Sequence, residues 1–293
     1  MKAGFIPALG TPVDNTGVFL PKSYSKQIDD MLDAGAIAFL VLGSMGMMAS
    51  IRQDQYRYIV ETAIESTKGK CPVLVGAMDN SVWRVKERLE YLKGLKVDGV
   101  VLTTPYYYAA NPEEIVRFYI SVANSSPFPV YMYDLPVVTQ SKITYPIIEN
   151  ILSKTDNLKG IKTGDQTLAR LLTISEKVPS DFSTIYSGLD TVDVAYKWGI
   201  TTYLDGMFTC TPRLTKKLDE SLRANDFIAA GKYLDHILNF RNDMIKIGVF
   251  NAYVYAMNIL GYEGYHAPDY CFKSNADDHD FVLKSMKSHN EID

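Results

Sequence analysis

The sequence predicts an α/β protein of the (β/α)8 barrel class that carries a C-terminal helical appendage. Three observations predict it. Strand-like and helix-like patterns alternate eight times within residues 1–224. Several strand-like runs, above all Ala36-Ile-Ala-Phe-Leu-Val-Leu42, are almost continuously apolar, as parallel strands covered on both faces are. From Asn225 to Asp293 only helical patterns follow. Strands that alternate with helices imply a parallel sheet, and eight such units closing on themselves make the barrel. The competing arrangement is an open doubly wound sheet, which usually has fewer units and a Gly-rich phosphate fingerprint. The expected division is a catalytic barrel over 1–224 and a helical domain over 225–293.

Taken in order, Phe5 to Pro12 reads as a short buried strand that ends in a loop, and Ser23 to Ala34 as a helix with Ile28, Met31 and Leu32 on one face. Gly35 stops that helix. The strand 36–42 runs into Gly43-Ser-Met-Gly-Met47, and a helix is expected over 53–67. Pro72 to Ala77 is the third strand, after which Asn80 is a plausible N-cap for a helix reaching Leu95. Asp98 to Thr104 is the fourth strand, and Asn111-Pro112 opens a helix through Ala123 with proline at its first position. Strand 129–133 and helix 145–152 make the fifth unit. The sixth is the strand Asn157-Leu-Lys-Gly-Ile-Lys162 with helix 166–177. Ser183 to Gly188 is the seventh strand, with Asp190 capping a helix to Trp198. Thr202 to Phe208 would be the last strand and Pro212 the start of the last barrel helix. In the appendage, 227–250, 252–260 and 277–287 read as helices.

Composition narrows the function. The 293 residues are 47% hydrophobic and 22% charged, ordinary for a globular protein with a sizeable core. A formal net charge of −4 argues against nucleic acid or an anionic membrane as partner, since both call for basic patches. No apolar run approaches the roughly 18 residues of a spanning helix. The start, Met1-Lys-Ala-Gly-Phe-Ile-Pro7, enters a strand-like segment without a signal-peptide core. Cys71, Cys210 and Cys271 are widely spaced and form no CxxC, which suits a reducing compartment and offers neither disulfide frame nor zinc site. A cytoplasmic protein is expected.

In a (β/α)8 enzyme the chemistry sits at the carboxyl ends of the strands. Those ends offer Thr11, then Gly43-Ser44-Met45-Gly46, then Thr104 with Tyr106 and Tyr107. They continue with Tyr133, Lys162, Gly188 and Asp190, and finally Gly206 with Met207. No paired carboxylates suggest a metal or glycosidase set, and the barrel half has no histidine for a Ser-His-Asp arrangement. A lone amine among apolar walls suits another chemistry. Desolvation disfavours the ammonium, which leaves a neutral amine to attack a ketone. The iminium that results is an electron sink, so that a neighbouring carbon–carbon bond can form or break through an enamine. Tyr133 on the adjacent strand could shuttle the protons. The Gly43–Gly46 loop could offer consecutive backbone N–H groups to a keto-acid carboxylate. Taken singly, each group has a plainer reading: a surface charge at Lys162, rim packing at Tyr133, an apolar interface patch at Tyr106 to Tyr108, a tight turn at the glycines. Their placement together on successive strands favours the chemical one.

These residues resemble the dihydrodipicolinate synthase / N-acetylneuraminate lyase family of Schiff-base aldolases, along essentially the whole chain. Gly10-Thr11-Pro12, Gly43-Ser44-Met45-Gly46 for the family's Gly-Ser/Thr-Thr-Gly-Glu loop, and Thr104-Pro105-Tyr106-Tyr107 carry the likeness. So do Tyr131-Met-Tyr133-Asp-Leu-Pro136 for its Tyr-Asn-x-Pro segment, Gly160-Ile161-Lys162 for its lysine strand, Gly188-Leu-Asp190, and the tail with Pro268. The resemblance implies that Lys162 forms a Schiff base with pyruvate, or with the pyruvate-derived end of a larger keto acid, and that Tyr133 relays protons. It implies that Ser44 and the Met45 amide hold the carboxylate and that Tyr107 reaches into a neighbouring subunit's site. Homotetramers built from two tight dimers, without metal or organic cofactor, are the family's habit.

Five departures bear on the second substrate. Val138 stands where dihydrodipicolinate synthases carry an arginine for that substrate's carboxylate. Met45 replaces the loop's second hydroxyl, which bears on the usual Tyr–Thr–Tyr relay, and Met47 replaces its glutamate. Thr191 follows Gly188 and Asp190 where neuraminate lyases have a glutamate, and Met207 stands in place of a serine. A less polar pocket fits a shorter or less hydroxylated aldehyde. The expected function is a class I, pyruvate-dependent aldolase that cleaves or forms a 2-keto-3-deoxy acid. Alternatives within the chemistry are 4-hydroxy-tetrahydrodipicolinate synthase, N-acetylneuraminate lyase and a keto-acid dehydratase. The alternative outside it is a keto-acid-binding regulator without turnover.

Overall fold

The computed structural model describes Met1 through Asp293. Eight strands follow one another along the chain: β1 (Gly4–Pro7), β2 (Phe39–Val41), β3 (Val73–Gly76), β4 (Gly99–Thr103), β5 (Val130–Asp134), β6 (Leu158–Thr163), β7 (Ser183–Tyr186) and β8 (Thr202–Asp205). They form one sheet in the order β1-β8-β7-β6-β5-β4-β3-β2. A parallel bridge between Ala8 and Leu40, with the Leu9 N–H donating to the Leu40 carbonyl at 3.0 Å, brings the two ends of that order together. The architecture is therefore the (β/α)8 barrel that the alternation predicts, and the open sheet is excluded.

The helices are α1 (Pro21–Ala34), α2 (Gln53–Thr67), α3 (Val82–Tyr91), α4 (Pro112–Ala123), the single turn α5 (Pro136–Thr139), α6 (Tyr145–Leu152), α7 (Gln166–Ile174), α8 (Val192–Lys197), the turn α9 (Met207–Cys210), α10 (Pro212–Arg223), α11 (Phe227–Ile247), α12 (Val249–Ile259) and α13 (Ala276–Ser288). None is long and apolar enough to cross a membrane. Local chemistry explains several boundaries. Gly35 ends α1 in the left-handed conformation at φ 100° and returns its N–H to Leu32 and Met31. Asn111 and Glu114 form a reciprocal capping box on α4.

Several boundaries differ from expectation, among them the end of α3 at Tyr91 where Leu95 is expected, and four have a clear local cause. Helix α3 begins one residue late because Ser81 caps it, accepting from the Arg84 N–H, while the Asn80 side chain accepts from the N–H groups of Tyr106 and Tyr107. Asp190 lies in a single 3-10 turn, Leu189–Thr191, and α8 starts after it without a side-chain cap. Strand β8 stops at Asp205, whose carboxylate takes the Met207 N–H at 2.8 Å and turns the next residues into α9. The long tail helix breaks at Gly248, where φ is 91°.

The residues fall into two compact units, Met1–Ala3 with Pro72–Leu204 and Gly4–Cys71 with Asp205–Asp293. In the first, β3 to β7 pair in parallel register. Paired residues of neighbouring strands face the same way, so the register defines rows of side chains. One row is Val101, Tyr131, Gly160 and Ser183, and the next is Thr103, Tyr133, Lys162 and Ile185. The Tyr131 ring lies where a Cβ on Gly160 would come within 2.7 Å of it, and it crowds Gly99 on the other flank in the same way. Two glycines thus make room for one large ring below the Lys162 row. In the second unit α1 packs on α2 and α10 on α11, and α12 and α13 pack against each other. The Gln27 amide is fully buried and bonds both the N–H and the carbonyl of Gly10, which fixes the segment that follows β1.

Candidate active site

Lys162 is the penultimate residue of β6 and Tyr133 the penultimate residue of β5, and the register places them side by side. The Lys162 side chain is only 8% exposed, and its Nζ stands 3.7 Å from the centroid of the Tyr133 ring. No carboxylate pairs with this amine. A buried lysine is ordinarily held by an ion pair, because a buried charge without a partner is costly. Here an aromatic face takes the partner's place, and it leaves the amine's hydrogen-bonding capacity unspent.

Thr103 continues the row on the far side of Tyr133. Its hydroxyl and that of Thr104 are buried and meet no hydrogen-bond partner. Such hydroxyls in a native interior call for an explanation, and a ligand or water in the row is the simplest one. The sequence singled out Thr104 as a strand end and passed over Thr103. Only the strand register reveals that Thr103 shares the row with the lysine.

In the second unit the expected anion loop takes a defined shape. Left-handed residues bracket it, Leu42 at φ 55° and Met47 at φ 56°, conformations that bulky side chains rarely adopt and that gather at functional loops. The N–H groups of Met47 and Met48 turn back onto the carbonyls of Ser44 and Gly43, whereas those of Ser44 and Met45 meet no acceptor in the chain. Two adjacent amides are thereby available to an anion. They belong to a turn and not to a helix terminus, since α2 starts only at Gln53. Gly46 has the backbone of Leu42 against it, because a Cβ there would lie 2.8 Å from the Leu42 Cα. Thr11 is fully buried, and its hydroxyl donates to the Gly46 carbonyl at 2.8 Å, so this side chain braces the loop from behind. Gly43 needs its missing side chain too, since a Cβ would press on Leu40.

The remaining candidates are placed as follows. Met45 lies over Gly206, where a Cβ would come within 2.3 Å of the Met45 Cγ, and Met207 is buried at the start of α9. Gly188 leaves room for the Tyr186 hydroxyl, which bonds Thr191 at 2.7 Å, and Asp190 sits in the turn between them. Tyr107 is 74% exposed and stacks edge-on against Tyr108, so it stands apart from the buried row. Val138 is exposed on the turn after Pro136. A cavity of about 550 Å³ in the second unit is bordered by Val13, Met47, Ile51, Arg52 and Phe272. No group of three or more His, Cys, Asp or Glu side chains is arranged to hold a metal ion.

Fold and side chains together define a (β/α)8 barrel with a buried, unpaired lysine at the end of its sixth strand. The model of the dihydrodipicolinate synthetase family matches residues 1–273, and the chain belongs to that family. It is similar to the 4-hydroxy-tetrahydrodipicolinate synthase of Exiguobacterium sibiricum, at 26% identity over 223 residues and 76% of each chain. Among solved structures, the dihydrodipicolinate synthase of Thermotoga maritima superposes with a TM-score of 0.90 at 19% identity, covering 100% of both chains. A prophage protein of the same family from E. coli, solved in complex with pyruvate, gives 0.89 at 19% identity and covers 100% of both chains. At such identities the structural likeness speaks for the fold.

Proposed function

We propose that this protein is a pyruvate-dependent class I aldolase, a carbon–carbon lyase that cleaves or forms a 2-keto-3-deoxy acid on Lys162. The observation that carries the reading is the Lys162 amine itself, shut away from water, without a carboxylate, and laid over the Tyr133 ring. An amine so placed serves as a nucleophile toward a ketone. In the cleavage direction its nitrogen adds to the keto carbon, and the carbonyl oxygen is protonated and leaves as water. The protonated imine then draws the electrons of the C3–C4 bond as the C4 hydroxyl loses its proton, and the aldehyde departs. The enamine left behind takes a proton at C3, and water returns to release pyruvate and the free lysine. Tyr133 is the group beside the amine that can carry these protons.

In this reading Ser44 and the Met45 amide hold the carboxylate of the keto acid, Gly43 keeps the loop narrow and Thr11 braces it. Gly188, Asp190 and Met207 border the second substrate, and Tyr107 serves a neighbouring copy in a cytoplasmic homotetramer. With Met45, Val138 and Met207 in place of hydroxyls and an arginine, the second substrate is an aldehyde with few hydroxyls. Relatives named 4-hydroxy-tetrahydrodipicolinate synthase keep that activity as the second reading, which Val138 disfavours.

Incubation with pyruvate and borohydride, followed by peptide mass spectrometry, should place a reduced adduct on Lys162. Lys162→Met should abolish it. Absence of an adduct on the wild-type protein would overturn the aldolase reading. With the adduct in hand, a screen of aldehydes graded by hydroxyl count should favour the least hydroxylated ones.

A further inference from the structure

Behind the Lys162 row the strands carry a second polar cluster, which faces the opposite side of the sheet. Asp134 and Thr163 are the last residues of β5 and β6 and are register partners. The Thr163 hydroxyl donates to Asp134 Oδ2 at 2.9 Å, and the Ile143 N–H donates to Oδ1 at 3.1 Å. Lys142 Nζ bonds the same carboxylate and also reaches Asp165 Oδ2 at 3.0 Å. The Asp165 N–H donates to the Thr163 hydroxyl at 3.0 Å, which closes a ring of four residues. Asp165 Oδ1 meanwhile caps α7 through the Leu168 N–H at 2.9 Å. Lys142 arrives there because Gln140, at φ 53°, turns the chain back after α5.

We propose that Asp134 is a positioning residue of the active site, its carboxylate locked by Lys142 so that the ends of β5 and β6 hold Tyr133 and Lys162 in register. The proposal rests on the aldolase reading. Each member of the ring is adjacent in sequence to a reacting group or binds one that is: Asp134 follows Tyr133 and Thr163 follows Lys162. Attack on a keto carbon and proton delivery by a phenol both depend on near-attack geometry, in which displacement by about 1 Å can cost 10²-fold in rate. A neutral side chain at 134 could accept some of these bonds but could not hold Lys142. The Asp134 side chain is 2% exposed, and Lys142 is the cation bonded to it. Burial pulls the Lys142 amine down, and Asp134 and Asp165 together push it above the ordinary lysine range, so the clamp keeps its cation across the working pH range. The titratable groups that face Asp134 are Lys142, Asp165 and, from α4, Tyr119, whose hydroxyl donates to the Leu102 carbonyl.

The test compares Lys142→Met, Asp134→Asn and the double variant, at a temperature where circular dichroism shows all of them folded. Lys142→Met should lower kcat about tenfold or more while KM for the keto acid stays within about twofold. It should also slow borohydride labelling of Lys162 by pyruvate. Asp134→Asn should lose a similar factor in kcat with KM likewise held, and the double variant should be about as slow as either single one, because each change breaks the same clamp. Wild-type kcat and labelling rate in Lys142→Met would overturn the proposal and leave the aldolase reading standing. Losses in the two single variants that multiply in the double variant, as two independent sites would give, would overturn it as well. No adduct on the wild-type protein would end both.

Discussion

Under the proposed reading the two units supply chemistry by different means. In Pro72–Leu204 the groups are side chains whose positions follow from strand register: Thr103, Tyr133 and Lys162 share one row, and Asp134 and Thr163 sit one residue further on. In Gly4–Cys71 with Asp205–Asp293 the groups are backbone amides of a loop, exposed by glycines and braced by Thr11. The first region is rich in hydroxyls and charges. The second has turned toward thioethers, with Met45, Met47 and Met207 where the family's polar groups would stand. A strand end tolerates change in its neighbours as long as the register holds. A loop that works through its amides depends on what is missing from it, so its side chains can drift while its glycines cannot.

The largest effect is expected in the row. Tyr133→Phe keeps the ring under Lys162 Nζ and removes only the phenol oxygen. Turnover should fall by about 10²-fold or more if that oxygen carries protons. The rate of pyruvate labelling by borohydride should fall much less, because the amine and its aromatic face remain. An unchanged turnover would reduce Tyr133 to a packing residue and would leave the first unit with one functional group instead of a pair.

In the loop the corresponding change is Gly46→Ala. Its Cβ would press on backbone atoms of Leu42 at 2.8 to 2.9 Å, and backbone cannot swing aside as a side-chain tip can. The loop must shift, at a cost of about 1 to 3 kcal/mol in stability. Two amide bonds to a carboxylate would be misaimed, which should raise KM for the keto acid by roughly one to two powers of ten. Turnover at saturating keto acid should change far less. A KM that stays put would separate the loop from carboxylate binding and break the contrast between the units.

The contrast also explains what could be read in advance. The alternation of apolar runs and helical stretches gave away the barrel, because burial on both faces forces that pattern on parallel strands. Lys162 and Tyr133 were legible because their residue types are conspicuous at the tips of such runs. Thr103 was not, since an inward threonine on a buried strand looks like any β-branched core residue. The ring of Asp134, Lys142, Thr163 and Asp165 was hidden too, because Lys142 reaches it through a left-handed turn at Gln140, which a sequence pattern does not show. Asn80 misled for a related reason: it is a good capping residue, but its side chain serves the Tyr106 loop and leaves the helix to Ser81. Local propensity cannot tell which of two adjacent acceptors the rest of the fold will recruit.

The same capping device appears in both units with opposite pH behaviour, which gives the smallest effect and the sharpest comparison. In the first unit burial works to raise the Asp165 carboxyl, but the Leu168 N–H and Lys142 outweigh it and hold it below the usual range. In the second, Glu291 accepts from the N–H groups of Arg213 and Leu214 at the start of α10, at 2.9 and 3.0 Å, yet its burial pushes it up from 4.5 to about 7. A depressed carboxyl stabilises above its unfolded value and loses that contribution as pH falls through the folded one, so Asp165 matters only in acid. A raised carboxyl does the reverse: its contribution is whole below 4.5 and is lost as pH rises to about 7. Replacing Glu291 with Gln should therefore remove a downward slope in thermal midpoint between pH 5 and 7, by at most about 3 kcal/mol and so a few degrees. Asp165→Asn should leave that window untouched and flatten only the acid limb. If the Glu291→Gln curve runs parallel to the wild type between pH 5 and 7, the two backbone donors hold the carboxylate charged despite its burial, and the two caps behave alike.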